Sequence, residues 1–229
     1  MESLHLRRDS LRQLTLAGFT LIELMVVLAI ITVIASVVFT SQGSFNKTLV
    51  LENTAYDIAL TLRSAQSRGL GSRALIDAAG NLVSERSGYG LHLIQSTPAS
   101  FTFFADTFPD VSCDTPDCRP GDHVYTAGSD SLLKTYLLGN GITIGNFCAF
   151  INGSWECSAN GSITALDIVF MRPNPNPFMS ADGAYSPLFP VTKACITVIS
   201  PQGGSKFISV ASSGQISANE PADPSSCHE

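Results

Sequence analysis

The side chains with chemical potential in this 229-residue chain are six cysteines, four histidines, a run of aspartates and one isolated glutamate. The cysteines stand at 113, 118, 148, 157, 195 and 227. Six thiols allow fifteen complete pairings. Loop closure favours near neighbours, which gives Cys113–Cys118 around CDTPDC, Cys148–Cys157 with Asn152-Gly153 as its turn, and Cys195–Cys227. An even number of cysteines points to an oxidising compartment. Zinc is the weaker reading of these sulfurs, because the spacings are poor and His123 is the only nearby imidazole. Asp106, Asp110, Asp114, Asp117 and Asp122 lie close in sequence. They match no calcium-binding loop pattern, so a solvated acidic loop is expected, with calcium as the alternative and no other cofactor. His5, His92, His123 and His228 join no nucleophile motif, and no G-x4-G-K-[ST] phosphate loop occurs. The expectation is therefore a protein that is not an enzyme. His92 sits in a candidate strand with its ring toward solvent.

Glu23 is different in kind. It is the only charged residue in the apolar run 19–46, with Arg7, Arg8 and Arg12 before it and Lys47 after it. Residues 19–39 as a helix would span about 31 Å, close to the ~30 Å hydrocarbon core of a bilayer. The basic flank places the N-terminus in the cytoplasm. A cleaved signal peptide, ending near Ala35-Ser36, is the competing reading, but the run is long and a carboxylate lies inside it. A carboxylate in hydrocarbon needs a partner. Either it snorkels to the headgroups, or a cation meets it. A cut between Gly18 and Phe19 would create an ammonium four residues upstream, which could neutralise the Glu23 of a neighbouring copy.

Gly18-Phe19-Thr20-Leu21-Ile22-Glu23-Leu24, after a basic leader and before an apolar run, resembles the N-terminus of a type IV prepilin. The resemblance implies cleavage after Gly18 by a prepilin peptidase, N-methylation of Phe19, and assembly through Glu23 into a filament with the apolar helices inside. The implied partners are other pilin or pseudopilin subunits, the inner-membrane assembly platform and membrane lipid. The implied location is the bacterial inner membrane as a single-pass precursor, then a periplasmic or extracellular filament.

The positioning elements follow. Leu51, Ala55, Ile58, Leu62 and Ala65 recur at helical spacing and predict an amphipathic continuation that Gly69 and Gly71 end. Gly43 and Asn46 are expected to loosen it, and a coiled-coil seam is the alternative use of the stripe. Beyond residue 72 the pattern turns to strands, at 74–77, 82–85, 89–95, 101–105, 132–138, 142–151, 163–171, 194–199, 206–211 and 215–217. RPNPNP, with Pro173, Pro175 and Pro177, cannot be a central strand. Tyr89-Gly90-Leu91-His92-Leu93 and the pair Lys206-Phe207-Ile208-Ser209-Val210 and Ser213-Gly214-Gln215-Ile216 resemble the GspH/FimT branch of minor pilins and pseudopilins. Ser217 stands where that branch carries a basic residue. The expected fold is α+β, a long N-terminal helix packed on antiparallel sheets. The expected divisions are 1–18 (leader), 19–45 (transmembrane and assembly helix), 46–71 (amphipathic helix) and 72–229 (β-rich body).

Composition narrows the function. With 45% hydrophobic and 14% charged residues the chain is not intrinsically disordered. Its formal charge of −6 disfavours general nucleic-acid binding. Arg63, Arg68, Arg73 and Arg86 form a basic region around the helix end, offset by Asp77 and Glu85, so a DNA-uptake minor pilin is kept as an alternative. A type II secretion pseudopilin and, further off, a membrane-anchored exported enzyme complete the alternatives to a pilus subunit.

Overall fold

A computed structural model describes residues 18–71, 75–76, 80, 82–84, 87–107, 121–173, 175–188 and 190–219. The chain divides into two compact units, Met1–Phe45 and Asn46–Glu229. Helix α1, Leu21–Leu70, contributes to both. Helical structure continues through Gly43 and Asn46, where the sequence suggested a loosening.

Within the first unit the described helix is apolar and open. Leu21–Val38 is long and apolar enough to cross a membrane by length and composition, and none of it is buried within the protein.

The second unit holds the core. Leu51, Ala55, Ile58, Leu62 and Ala65 are all buried, joined by Ala59. The stripe packs onto sheets rather than forming a coiled-coil seam. Among the described residues twelve strands follow: β1 Leu75–Ile76, β2 Leu82–Ser84, β3 Gly88–Ile94, β4 Ser100–Asp106, β5 Ser131–Leu137, β6 Thr143–Ile151, β7 Ser154–Cys157, β8 Ala165–Phe170, β9 Pro177–Ala181, β10 Lys193–Ile199, β11 Ser205–Ala211 and β12 Ile216–Asn219. β1 and β2 form a small hairpin of their own. The rest make two antiparallel five-stranded sheets, in the orders β5-β4-β3-β8-β9 and β12-β11-β10-β6-β7. The fold is α+β and pilin-like.

Strand alternation sorts the faces. Leu91 and Leu93 on β3, Leu166, Ile168 and Phe170 on β8, and Phe101 and Phe103 on β4 point into one core with the helix stripe. From the second sheet the same core takes Ile144, Phe147, Ala194, Ile196, Ile208 and Val210. The opposite faces carry the polar and sulfur chemistry described below. β9 begins at Pro177 and is an edge strand, the one position in a sheet where a proline at the first residue costs no ladder bond. β7, four residues after the Asn152-Gly153 turn, had too little length to be read as a strand.

Candidate functional site

At the N-terminus the structure starts the helix one residue after Thr20. The Thr20 hydroxyl accepts the backbone N–H of Glu23 at 3.3 Å, and its carbonyl accepts that of Leu24 at 3.2 Å. Thr20 thus caps the helix, and Glu23 stands in the first turn, where a negative charge is favoured by the helix dipole. The other polar side chains of the span satisfy themselves. Thr32 donates its hydroxyl to the Leu28 carbonyl at 2.8 Å, and Ser36 donates to that of Thr32 at 2.7 Å. Such back-bonding is how hydroxyls are accommodated in a lipid-facing helix. Among the described residues the Glu23 carboxylate alone in this span is left without a hydrogen-bond or ion-pair partner. Phe19 is 81% exposed and nothing lies within 4 Å of a β-carbon built on Gly18, so the peptide bond between them is open.

The second unit has a buried polar cluster on the outer face of the β5-β4-β3-β8-β9 sheet. The segment 121–130 returns across that face. Asp106, at the end of β4 and fully buried, accepts the N–H of Asp122 at 3.2 Å through Oδ1 and that of His123 at 3.0 Å through Oδ2. Asp130 accepts the N–H of Thr107 at 2.8 Å and that of Thr126 at 2.7 Å. Ser180 on β9 donates to the His123 carbonyl at 2.9 Å, and the His123 ring stacks on Phe178 with centroids 3.8 Å apart. His92 and Asp167 pair at 2.7 Å, and Tyr125 covers the His92 ring. Burial, reinforced by the charge of Asp130, pushes Asp106 up to about 8 against the pull of its two backbone donors. Burial also raises Asp167, outweighing its bond to His92. These groups are clamps that bind their own loop.

Sulfur occupies the outer face of the other sheet. Cys148 and Cys157 form a disulfide across β6 and β7, with Cα atoms 4.1 Å apart. Cys195 is disulfide-bonded as well. Cys113, Cys118 and Cys227 lie outside the described residues, so the expected bridges 113–118 and 195–227 do too.

Residues 17–39 match the family described as the prokaryotic N-terminal methylation motif. The chain is type IV prepilin-like. The match lies within the first unit and includes Gly18, Phe19 and Glu23. No curated protein and no solved structure gave a match to the chain. A prepilin-like subunit of this kind is anchored in a membrane by its apolar helix and assembles with other pilin subunits after a prepilin peptidase has processed it. The motif also speaks for a structural subunit rather than an enzyme.

Two sequence readings of the prepilin-like body are corrected. His92 does not face solvent: it is on the outer face of β3, but Asp167 and Tyr125 enclose it. Asp106 is not part of a solvated acidic loop but a buried anchor; Asp110, Asp114 and Asp117 lie outside the described residues. Alternation along β3 had placed His92 opposite Leu91 correctly. What it could not supply is the returning loop, a tertiary contact with no local signature. Of the basic region, Arg63 and Arg68 are exposed on the helix, with the Arg68 guanidinium 5.4 Å from the Phe103 ring centre, while Arg73 and Arg86 lie outside the described residues.

Proposed function

We propose that the chain is a minor pilin or pseudopilin of the GspH/FimT kind, cut between Gly18 and Phe19, methylated on Phe19, and built into a type IV pilus or a type II secretion pseudopilus. The observation that carries this reading is the exposed apolar helix with one unpartnered carboxylate. A lone carboxylate in hydrocarbon is costly, whereas Thr32 and Ser36 of Leu21–Val38 are satisfied within their own helix. The new α-amine of a neighbouring subunit answers Glu23 without adding any charged residue to the span. The helix is then the polymerisation spine, Glu23 sets the register of one subunit on the next, and the body displays the surface that partners meet.

Glu23→Ala tests it. The variant is expected to be processed normally, as shown by loss of the leader, yet to be missing from the sheared filament fraction while it accumulates in the inner membrane. Undiminished filaments and undiminished secretion in that variant would overturn the assembly role. Scoring filaments and exported protein in the same strains also tells a pilus subunit from a secretion pseudopilin.

A further inference from the structure

Three cysteines stand in one row across three neighbouring strands. Cys157 on β7 is in register with Cys148 on β6, and Cys148 is in register with Cys195 on β10. In the strand order β10-β6-β7 the middle member is Cys148, with Cys195 on the side away from Cys157. Residues directly across a ladder share a face, so all three sulfurs lie on the outer face of this sheet. All three residues are buried, and Trp155 and Phe207 pack around Cys195.

The spacing permits either bridge. The 4.1 Å between the Cα atoms of Cys148 and Cys157 marks the close, non-hydrogen-bonded kind of antiparallel pair. The backbone groups of Cys148 then point the other way, toward β10. That makes Cys148 and Cys195 a hydrogen-bonded pair, for which a Cα separation of about 5.5 Å is usual, inside the roughly 4.4–6.8 Å range of disulfides. Two further polar groups lie near the row. The Asn146 side-chain amide donates to the Cys148 sulfur at 3.3 Å, and Asn146 is itself held by the Ser158 hydroxyl at 2.9 Å. Lys193, two residues before Cys195 on the same face, holds its ammonium 5.7 Å from the centre of the Trp155 ring that packs against Cys195.

The geometry points to a thiol–disulfide exchange site in which Cys148 is bridged to either Cys157 or Cys195, with an external dithiol as the trigger. The dithiol first reduces the bridge of Cys195 and is itself oxidised to a disulfide, leaving Cys195 and its former partner as thiols. The Cys195 thiolate then attacks the Cys148 sulfur. The 148–195 bond forms, the 148–157 bond breaks, and the electron pair leaves on the Cys157 sulfur, which takes up a proton. The second step is electron-neutral. Its effect is to move the open thiol from the sheet interior to β7, an edge strand that the 148–157 bridge had fastened. The inference stands apart from the filament reading and survives its failure.

The test is partial reduction of the full-length chain in detergent with dithiothreitol, followed by alkylation and peptide mapping by mass spectrometry. At intermediate reductant a peptide joining Cys148 to Cys195 is expected, with alkylated Cys157 in the same fraction and a yield independent of protein concentration. Passage from the intact 148–157 bridge straight to two alkylated thiols, with no 148–195 species at any reductant level, would overturn the proposal. Cys157→Ser gives a second readout. In that variant the Cys148 thiolate, left without Cys157, is expected to attack the Cys195 sulfur in its own bridge, forming the 148–195 bond and releasing the former partner of Cys195 as a thiol that takes up a proton, so that peptide mapping finds Cys148 joined to Cys195 without added reductant. A Cys148 that alkylates fully in the oxidised, folded variant counts against exchange, and if the variant does not fold, the wild-type mapping still decides.

Discussion

Gly69, in the last turn of the helix, lies directly against the backbone of Phe170 at the end of β8. A β-carbon at position 69 would overlap the Phe170 carbonyl. The Gly69 carbonyl accepts the N–H of Arg172 at 3.1 Å, so helix and strand are fastened at the same point. The glycine that the sequence marked as a helix stop therefore also lets the helix dock.

Gly69→Ala follows from that contact. In an isolated helix the change would stabilise by about 1 kcal/mol. Here the added methyl must push the helix end off β8, and overpacking of this kind costs roughly 1–3 kcal/mol. The expected outcome is a net loss of up to about 2 kcal/mol in denaturant unfolding of the full-length protein in detergent. A gain in stability would mean that the helix end is not seated on Phe170.

The helix stripe and most strands were legible because burial is periodic. Each of Leu51, Ala55, Ile58, Leu62 and Ala65 is where a 3.6-residue repeat puts it. β9 was missed as a strand: RPNPNP reads as an extended loop, and the pairing of Pro177–Ala181 at the sheet edge is compatible with a proline at its first residue. The outer faces were not legible. Asp106 and His123 are seventeen residues apart, and nothing local says that one anchors the other. The cysteine row was hidden for a similar reason. Sequence spacing pairs Cys148 with Cys157, but β10 reaches β6 only through a long connection, so the nearness of Cys195 is a property of sheet order.

Asp106 gives the body a pH dependence with a definite sign. Its carboxyl sits at about 8 in the folded protein against an ordinary 3.8, because burial and the charge of Asp130 disfavour ionisation. Asp122 and His123 from the loop also face it, as the nearest titratable groups of that segment. Between those two values the folded state holds more protons than the unfolded chain. Its contribution to stability is thus full below pH about 4 and falls as pH rises toward 8, at no more than about 1.4 kcal/mol per pH unit. Asp106→Asn removes the titration and keeps the shape. Unfolding midpoints across pH 4–8 should flatten in the variant. Hydrogen exchange at the His123 amide should accelerate with pH in the wild type beyond its intrinsic rise. An unchanged pH profile in the variant would show that Asp106 does not titrate in this window.

Asp182 works in the opposite direction. It is exposed; the desolvation it does suffer would by itself raise it, but together the N–H groups of Thr164 at 2.6 Å and Ala165 at 3.0 Å and the Thr164 hydroxyl at 2.8 Å outweigh this and hold it below the usual carboxylate range. The stability it lends is present above the ordinary carboxylate pKa and is lost as pH falls through its own lowered value. All three donors reach the same oxygen, Oδ1, which an asparagine can also present. Asp182→Asn should therefore keep most of the loop's stability at neutral pH while Asp182→Ala loses it. Thermal unfolding of the two variants side by side checks this, and equal losses would show that charge, rather than the accepted hydrogen bonds, holds the loop.

Processing at Gly18 has its own expected outcome. The position is open, and a β-carbon there meets nothing within the protein. Gly18→Leu is therefore harmless to folding, and any effect it has reports on recognition by the processing enzyme. The expected result is a membrane-inserted chain that keeps Arg7, Arg8 and Arg12 and has no free amine near Glu23. The wild-type chain from the same membranes should begin at Phe19 and be heavier by one methylene than the bare polypeptide. Intact-mass measurement reads both. A wild-type chain beginning at another residue would leave Glu23 without the partner proposed for it. Efficient cleavage of the Gly18→Leu chain at the same bond would show that this glycine does not direct the cut.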